Sequence, residues 1–374
     1  MAAGLTVEPR TPMQFIDATT TRRHLGMAPL IEALRAMFVS GCEVPARHSH
    51  RIESAETAEA AEAAVSVEGV EGVDRGVGSA AAAGTLLLMP AWRRGALLGL
   101  KTVTIFPGNR QLGRPALHST YLLFDATTGA PLAQLDGNEI TSRRTAAASA
   151  LAASFLARAD ASRLLVVGSG RVASLLAEAM RAVRPIREVQ VWNHRGASAL
   201  ALAQQLRDAG LEARATDDLA HAAAHADIIS CATLSTAALI RGEWLRPGTH
   251  LDLIGSFTPQ MREADAACFA ACRVFVDTEE ALVKSGDVLQ AIAAGRFSAD
   301  RTQGTLADLC AGRRKGRADA DQEQDGGVDA EAGRTLFKSV GSALEDLAAA
   351  ELVWRGVASE SLSCEAPNQP GPPS

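Results

Sequence analysis

The chain has 374 residues, of which 47% are hydrophobic and 4% aromatic, and its formal net charge is −6. This length allows two domains of ordinary size, each with its own core. The negative charge argues against a nucleic-acid-binding protein, which would usually be basic. No run of 18 apolar residues predicts a membrane span, and the N-terminus lacks the features of a secretory signal, so we expect a cytoplasmic protein.

Residues 12–40 are predicted to be helical, because Ile31, Leu34 and Met37 recur at near-helical spacing and Gly41 is a plausible stop. Residues 53–83 contain no aromatic residue and are rich in Ala, Glu, Gly and Val, which is typical of a low-complexity insertion. The first helix is thus expected to be separated from the rest of its domain by a flexible segment.

Short β-rich runs follow between residues 85 and 136, and the last two form a predicted hairpin around the turn Thr127-Thr128-Gly129. An Ala-rich helix is predicted from about Thr141 to Arg158. From Arg163 the pattern changes to alternating strands and helices, which predicts a parallel sheet covered on both faces. The predicted strands there are Arg163–Val167, Glu188–Trp192, Asp227–Ala232, His250–Ile254 and Arg273–Val276.

The C-terminal part contains a second low-complexity segment at 313–333, one predicted helix from Leu336 to Trp354, and a Pro- and Ser-rich tail from Ser359 that we expect to be disordered. The six cysteines are scattered. Cys268 and Cys272 have no second pair to complete a zinc site, so no metal is expected and the thiols are expected to be packing or surface residues in a reducing cytosol.

The clearest motif is a GxGxxA sequence between a strand and a helix. Gly168 would make the tight turn, Gly170 would let a pyrophosphate approach the backbone, and Ala173 would allow close helix–strand packing. The helix N-terminus would then offer N–H groups and a positive dipole end to the phosphates. The predicted cofactor-binding residues of this loop are Gly168, Ser169, Gly170, Arg171, Val172 and Ala173.

The next strand is followed by Asn193, His194 and Arg195, where an NAD-specific site usually has an acidic residue. Because Arg195 and His194 suit a 2′-phosphate, the sequence favours NADPH over NADH. The alternative for Arg195 is a solvated loop cation.

Several further segments form a pattern in a fixed order. They are Met89-Pro90-Ala91-Trp92, Leu100-Lys101-Thr102-Val103, Phe106-Pro107-Gly108-Asn109, Leu135 to Thr141, Arg143-Arg144-Thr145-Ala146-Ala147, Trp192-Asn193, Gly242-Glu243-Trp244 and Phe337-Lys338-Ser339-Val340-Gly341. In order and spacing, over roughly residues 44–354 apart from the two low-complexity segments, they resemble the ornithine cyclodeaminase/mu-crystallin family.

The resemblance implies an α/β homodimer with two domains. A Rossmann doubly wound sheet at 159–312 would bind NAD(P). A second, α+β domain for substrate binding and dimerisation would be formed by residues 1–158 and, after the flexible segment 313–333, by a C-terminal helix at 334–358 that returns to it. Residues 359–374 would form the disordered tail.

The same resemblance implies three cations at the substrate site: Arg47, Lys101 and Arg144. Two arginines suit a carboxylate, since each guanidinium can bind it bidentately. Arg51 and Arg143 are the neighbouring alternatives. Lys101 can hydrogen-bond the carboxylate or supply a proton, and a water held by Asp136 or Glu139 is the alternative proton donor. Lys338 is assigned to the nicotinamide end of the cofactor, although a structural role is equally open.

Cyclodeaminases of this family carry an Asp in a Gly-Gly-Asp segment, where this chain has Gly255-Ser256-Phe257. A phenyl ring cannot bind an ammonium as a carboxylate does, which counts against ornithine cyclisation. The segment resembles the bacterial Δ1-pyrroline-2-carboxylate (ketimine) reductase branch instead. It implies reduction of Δ1-pyrroline-2-carboxylate or Δ1-piperideine-2-carboxylate to proline or pipecolate. Phe257 would pack against the ring methylenes or, alternatively, in the core.

Two kinds of alternative function remain open from the sequence. One is another enzyme of the family, an ornithine cyclodeaminase or an alanine-type amino-acid dehydrogenase. The other is a non-catalytic, NADPH-binding protein like mu-crystallin.

Overall fold

The structure, a computed structural model, describes residues 12–53, 84–317 and 333–364. The predicted insertion 53–83 therefore lies outside the described residues apart from Glu53, and so does most of the predicted segment 313–333. The contacts within the chain divide it into two units. The first unit is Met1–Arg22 with Cys42–Glu139, and the second is Arg23–Gly41 with Ile140–Ser374.

The first unit contains a sheet that has six strands within the described residues, in the order β1-β6-β5-β4-β3-β2. Its strands are β1 (Gln14–Ile16), β2 (His48–Ile52), β3 (Gly84–Trp92), β4 (Leu97–Ile105), β5 (Leu117–Asp125) and β6 (Pro131–Asp136). Neighbouring strands are antiparallel except for β1, which pairs with β6 in parallel. The predicted hairpin of β5 and β6 is confirmed.

Burial alternates along the strands of this sheet. On β4 the residues Gly99, Lys101 and Val103 are buried, whereas their neighbours Leu98, Leu100 and Thr102 are half-buried. Successive side chains of a strand point to opposite faces, so the sheet has one buried face and one half-buried face. Lys101 lies on the buried face.

The second unit contains a parallel sheet that has eight strands within the described residues, in the order β13-β12-β14-β11-β10-β7-β8-β9. Its strands are β7 (Arg163–Val167), β8 (Glu188–Trp192), β9 (Glu212–Ala215), β10 (Ile228–Cys231), β11 (His250–Leu253), β12 (Arg273–Val276), β13 (Gly304–Thr305) and β14 (Thr335–Lys338). The central strands β10, β11 and β14 are buried at every residue, as expected for a sheet covered on both faces.

Helices alternate with these strands or precede them in the chain. They are α1 (Ala18–His24), α2 (Met27–Ser40), α3 (Gly137–Leu156), α4 (Ala173–Arg181), α5 (Gly196–Asp208), α6 (Leu219–His225), α7 (Ala266–Ala271), α8 (Glu280–Lys284), α9 (Gly286–Ala293), α10 (Leu306–Cys310) and α11 (Ala343–Cys364). The helix α4 shows why the alternation folds this way, because Ala173, Leu176, Ala177 and Met180 form a buried stripe at helical spacing.

The predicted α/β fold class, a doubly wound parallel sheet plus a second domain, is confirmed. Three strands of the parallel sheet, β9, β13 and β14, were not predicted. Leu336 was predicted to begin a helix, but residues Thr335–Lys338 form a strand between β11 and β12, and the helix begins at Ala343. Gln14–Ile16 is likewise a strand within the predicted helix 12–40. The predicted disorder from Ser359 is wrong up to Cys364, where α11 ends.

The boundaries of the two units differ from the predicted domains. The helices α2 and α11 pack on each other, and both belong to the second unit together with the parallel sheet. The apolar side chains of α2, including Leu30, Ile31 and Leu34, are buried, so this helix contributes to the core of the second unit. The C-terminal helix was predicted to return to the first domain; it packs on α2, and both helices are grouped with the parallel sheet.

Candidate active site

The glycine loop follows β7 and leads into α4. Gly168 is buried and has a φ of +117°, a conformation that residues with a Cβ rarely adopt. A Cβ on Gly168 would lie 2.6 Å from the carbonyl oxygen of Ala232, at the end of β10. The first glycine is therefore required by the close approach of two strand ends, which are adjacent where the strand order reverses, the usual position of ligands in such sheets.

Gly170 shows the opposite environment. A Cβ there would meet nothing within 4 Å, and the residue is exposed. Protein packing therefore does not require this glycine, whereas a phosphate approaching the backbone would. Ala173 is fully buried at the start of α4, consistent with the role predicted for it, and Val172 is the residue before that helix. The loop fits a dinucleotide pyrophosphate.

Asn193 connects this loop with the end of β8. Its amide nitrogen donates to the Ser169 hydroxyl over 2.5 Å, and its amide oxygen accepts from the backbone N–H of Arg195 over 2.9 Å. One side chain therefore sets the position of both the phosphate loop and the loop predicted to bind the 2′ position of the ribose. The structure brings these predicted cofactor residues together.

A cavity of about 540 Å³ lies beside Asn193, at the carboxyl ends of β8 and β9. Its lining residues are Trp192, Asn193, His194, Gly196, Ala199, Leu200, Ala215, Thr216 and Asp217. This volume and its position suit the adenosine half of a dinucleotide. Arg195 is exposed and is not one of the residues that line the cavity, whereas His194 is.

Asp217 was not predicted from the sequence, because an acidic residue was expected only after β8. It follows β9, the strand that was missed, and the carboxyl ends of neighbouring parallel strands meet at one edge. A carboxylate therefore does line the cavity, at a position that only recognition of β9 would have indicated.

Lys101 lies in the middle of β4 and is 2% exposed. Its cross-strand neighbours are Met89 on β3 and Tyr121 on β5. A Cβ on Gly99 would lie 1.8 Å from the Tyr121 hydroxyl, so this glycine makes room for the phenol. A buried ammonium is costly unless polar groups compensate it, which favours a functional or networked role over a surface charge. Tyr121, the chain's only tyrosine, is an unpredicted neighbour of Lys101.

The other candidates of the first unit differ in their surroundings. Arg47 is half-buried just before β2, and Arg51 is exposed on that strand. The Asp136 carboxylate accepts the backbone N–H of Glu139, and Glu139 forms a two-point ion pair with Arg22, at 2.5 and 3.2 Å. Glu139 is therefore already committed to a cation, which makes it a poorer water ligand than its sequence position indicated.

Arg144, in the second unit, is 6% exposed on α3. Its Nε donates to Asp346 over 2.9 Å and its Nη1 to Glu345 over 2.7 Å. These opposite charges raise the pKa of Arg144, so its guanidinium is positively charged at every physiological pH. Arg143, the alternative, donates to the carbonyl oxygen of Leu25.

Phe257 lies in the loop after β11 and is 43% exposed. This exposure does not fit the alternative of core packing. The buried Glu263 accepts the backbone N–H groups of Thr233 and Gly255, each over 2.6 Å, and so ties the loops after β10 and β11 together. Phe257 is thereby presented at the same edge of the sheet as the glycine loop.

Lys338, the last residue of β14, is fully buried. Its ammonium donates to the carbonyl oxygen of Leu253 over 3.0 Å and lies 3.8 Å from an Asp287 carboxylate oxygen. Of the two roles left open for Lys338, these contacts favour the structural one. The nearby Asp252 accepts hydrogen bonds from Ser149 and Ser230, and burial raises its pKa to about 7.

The described part of the chain contains no group of three or more His, Cys, Asp or Glu side chains arranged to hold a metal ion. Its helices are too short or too polar to cross a lipid bilayer.

Comparison with known proteins supports the fold and identifies the family. The model of the ornithine cyclodeaminase/mu-crystallin family matches residues 42–361. An uncharacterized protein of Schizosaccharomyces pombe is 45% identical over 91% of this chain and 97% of its own length. The Delta(1)-pyrroline-2-carboxylate reductase of Paracoccus denitrificans is 39% identical over 74% of this chain and 84% of its own length.

Among solved structures, the Thermococcus litoralis Delta(1)-pyrroline-2-carboxylate reductase in complex with NADH and L-proline superimposes with a TM-score of 0.78. It is 27% identical, and the match covers 93% of this chain and 98% of that one. The family predicted from the sequence motifs is confirmed. This chain belongs to the ornithine cyclodeaminase/mu-crystallin family.

Proposed function

We propose that this enzyme uses NAD(P)H to reduce a cyclic imino acid, Δ1-pyrroline-2-carboxylate or Δ1-piperideine-2-carboxylate, to L-proline or L-pipecolate. The observation that carries the proposal is Phe257, an exposed apolar side chain beside the dinucleotide loop where cyclodeaminases have an acidic residue. A carboxylate there would serve an amine, whereas a phenyl ring suits ring methylenes. The names of the similar reductases support the same chemistry.

The reaction needs a hydride, an oriented imine and a proton. NAD(P)H, when bound, supplies the hydride. The imine carbon accepts it best when the ring nitrogen is protonated, so the chain must hold the carboxylate and supply a proton. We assign the carboxylate to Arg47 and Arg144. We assign the proton, or a further hydrogen bond to the carboxylate, to Lys101.

The proposed cofactor preference is NADPH. His194 lines the cavity, Arg195 is the residue before α5, and either side chain could donate a hydrogen bond to a 2′-phosphate. Asp217 opposes this preference, because its carboxylate would repel a phosphate and suit a ribose hydroxyl. The preference therefore depends on which charge lies nearer the 2′ position.

We also propose a cytosolic homodimer. On the half-buried face of the six-stranded sheet, apolar side chains form two rows across β3, β4 and β5. The rows are Pro90-Leu100-Leu122 and Trp92-Leu98-Phe124. An apolar sheet face of this kind is suited to a self-complementary interface. The free cysteines of the described part, Cys42, Cys231, Cys268, Cys272 and Cys310, suit a reducing compartment.

The first experiment follows NADPH oxidation by absorbance with Δ1-pyrroline-2-carboxylate, and compares NADH and the six-membered imine. We expect oxidation with the native chain and a loss of roughly 10²–10⁴-fold in kcat in Lys101→Ala. Lys284→Ala, on a half-exposed lysine paired with Glu280, is the matched control and should retain activity.

The absence of oxidation with either imine, despite NADPH binding, would contradict the reductase proposal. That result would favour an amino-acid dehydrogenase, which can be tested with alanine and NAD, or a non-catalytic binding protein. Full activity of Lys101→Ala would contradict only the role assigned to Lys101, and it would leave the proposed reaction unaffected.

A further inference from the structure

The guanidinium of Arg144 lies between two acidic residues at the start of α11. Asp346 occupies Nε and Glu345 occupies Nη1, and both acidic residues are no more than 1% exposed. Gly341 lies against the same guanidinium, since a Cβ there would be 2.6 Å from Nη1 and 2.8 Å from Nη2. Its φ of +79° also favours glycine. The two acidic residues of α11 thus fix the guanidinium, and the preceding loop approaches its two Nη atoms.

The Arg144 guanidinium and the Glu345 carboxyl group each have one atom that makes no hydrogen bond among the described residues. The Nη2 of Arg144 makes no hydrogen bond there, and it is not one of the fully buried orphan atoms either. The Oε1 of Glu345 is fully buried and accepts no hydrogen bond. An ionised carboxylate usually has donors on both oxygens, because leaving a buried one unsatisfied is energetically unfavourable. A protonated carboxyl group would remove most of that cost.

The charges around Glu345 point the same way. It faces Arg144 from α3, Asp346 on its own helix, and Asp277 at the end of β12, which accepts the backbone N–H groups of Val340 and Gly341. Burial is the largest cause that raises the pKa of Glu345 to about 7; Asp277 and Asp346 act in the same direction and Arg144 opposes them. The Glu345 carboxyl group is therefore influenced by two further carboxyl groups and one guanidinium.

A fourth carboxylate, bound at the free Nη2, would make ionisation of Glu345 harder still. We propose that Glu345 is a positioning residue that takes up a proton from solvent when Arg144 binds the carboxylate of the imino acid. The inference rests on the proposed function, which assigns that carboxylate to Arg144. Protonation at Oε1 removes the negative charge that competes with the substrate, so Arg144 can bind the substrate carboxylate at Nη2 while it still donates to Glu345.

The direction of the linkage follows from the two states. Glu345 holds a proton more tightly in the complex than in the free protein, so carboxylate binding is favoured below the pKa of the free protein. The advantage is lost as the pH rises through the pKa of the complex. If binding raises the pKa by about one unit from about 7, uptake at pH 7.5 would be about 0.5 proton per site.

The probe is pyrrole-2-carboxylate, a planar analogue whose ring nitrogen does not titrate between pH 6 and 9. Calorimetric titration of the full chain with saturating NADP⁺, in phosphate and in Tris at pH 7.5, gives proton uptake from the difference in apparent enthalpy. We expect clear uptake in the native chain. In Glu345→Gln we expect retained binding with uptake near zero, because an amide still accepts from Arg144 and cannot titrate.

Asp252→Asn is the matched control, since Asp252 is also buried with a pKa raised to about 7 but is held by serines rather than by Arg144. It should leave the uptake unchanged. Binding by the native chain without uptake, or uptake that persists in Glu345→Gln, would overturn the inference and leave the proposed function intact. The native measurement alone is decisive if Glu345→Gln does not fold.

If the native chain neither binds the probe nor reduces an imine, the proposed function itself fails. If it reduces the imine without binding the probe, the pH dependence of KM gives the same decision. In the native chain, KM for the imine should rise above pH 7. This rise should be reduced in Glu345→Gln, and a pH profile that the substitution leaves unchanged would overturn the inference.

Discussion

The two sheets of this protein place their functional side chains in different ways. In the six-stranded sheet, which is antiparallel except for β1, Lys101 lies in the middle of a strand, and its neighbour Leu100 points to the other face. In the parallel sheet, the central strands are buried throughout, and the ligand-binding groups lie in the loops after their carboxyl ends. In a sheet with two different faces, every second residue of a strand can thus supply a functional side chain. In a sheet covered on both faces, functional groups can come only from the loops at the ends of the strands.

The largest expected effect tests the two faces of the antiparallel sheet with adjacent residues. Leu100→Asp places a carboxylate on the proposed dimer face and should raise the dimer dissociation constant by at least about 100-fold, because a charge is expensive to bury in an apolar interface. Lys101→Met, on the buried face, should reduce turnover while the dimer persists. Light scattering after size exclusion gives the mass, and the NADPH assay gives turnover.

An unchanged mass for Leu100→Asp across a dilution series would remove this face as the interface. A native chain that is already monomeric at micromolar concentration would do the same.

The second prediction compares two glycines at the edge of the parallel sheet. Gly168→Ala should destabilise the fold by about 1–3 kcal/mol, since its Cβ would meet the Ala232 carbonyl oxygen in a strained conformation. Gly170→Ala should leave the fold within about 0.5 kcal/mol of native and weaken NADPH binding by roughly tenfold. Denaturant unfolding and fluorescence titration measure the two quantities separately. Unaltered NADPH affinity in Gly170→Ala would argue against a phosphate at this loop.

The smallest expected effect concerns the cofactor cavity. Arg195→Gln should lower the preference for NADPH over NADH by about fivefold, and Asp217→Asn should raise it by about as much, because exposed charges are screened by solvent. The ratio of kcat/KM for the two cofactors is the measurement. If both variants change the ratio in the same direction, neither charge faces the 2′ position directly.

The sequence predicted the elements that have strong periodicity. The strands Arg163–Val167 and Glu188–Trp192 were predicted to the residue, and the glycine loop between strand and helix was located from its spacing alone. The strand Thr335–Lys338 was missed because its polar ends resemble a helix start, and its burial depends on neighbours that are distant in the chain. Periodicity cannot identify a short strand that is buried on both faces.

The substrate residues depended on the family resemblance, and their surroundings depended on the fold. Nothing in the sequence around Arg144 indicates that Glu345 and Asp346, about 200 residues later, will share its guanidinium. Asp217 illustrates the same limit, since it became visible only when β9 was placed next to β8. Sequence spacing predicts which residues are neighbours along one element, and it does not predict which charges meet across elements.

The strand β14 has a consequence for the order in which the protein can fold during synthesis. It lies between β11 and β12, so β12 has no connection to the rest of the parallel sheet except through residues that the ribosome adds more than 50 positions later. Until Lys338 has emerged, the nascent chain must keep β12 and β13 apart from a sheet that ends at β11. A chain truncated before Thr335 would retain the whole glycine loop and still be unable to close its sheet.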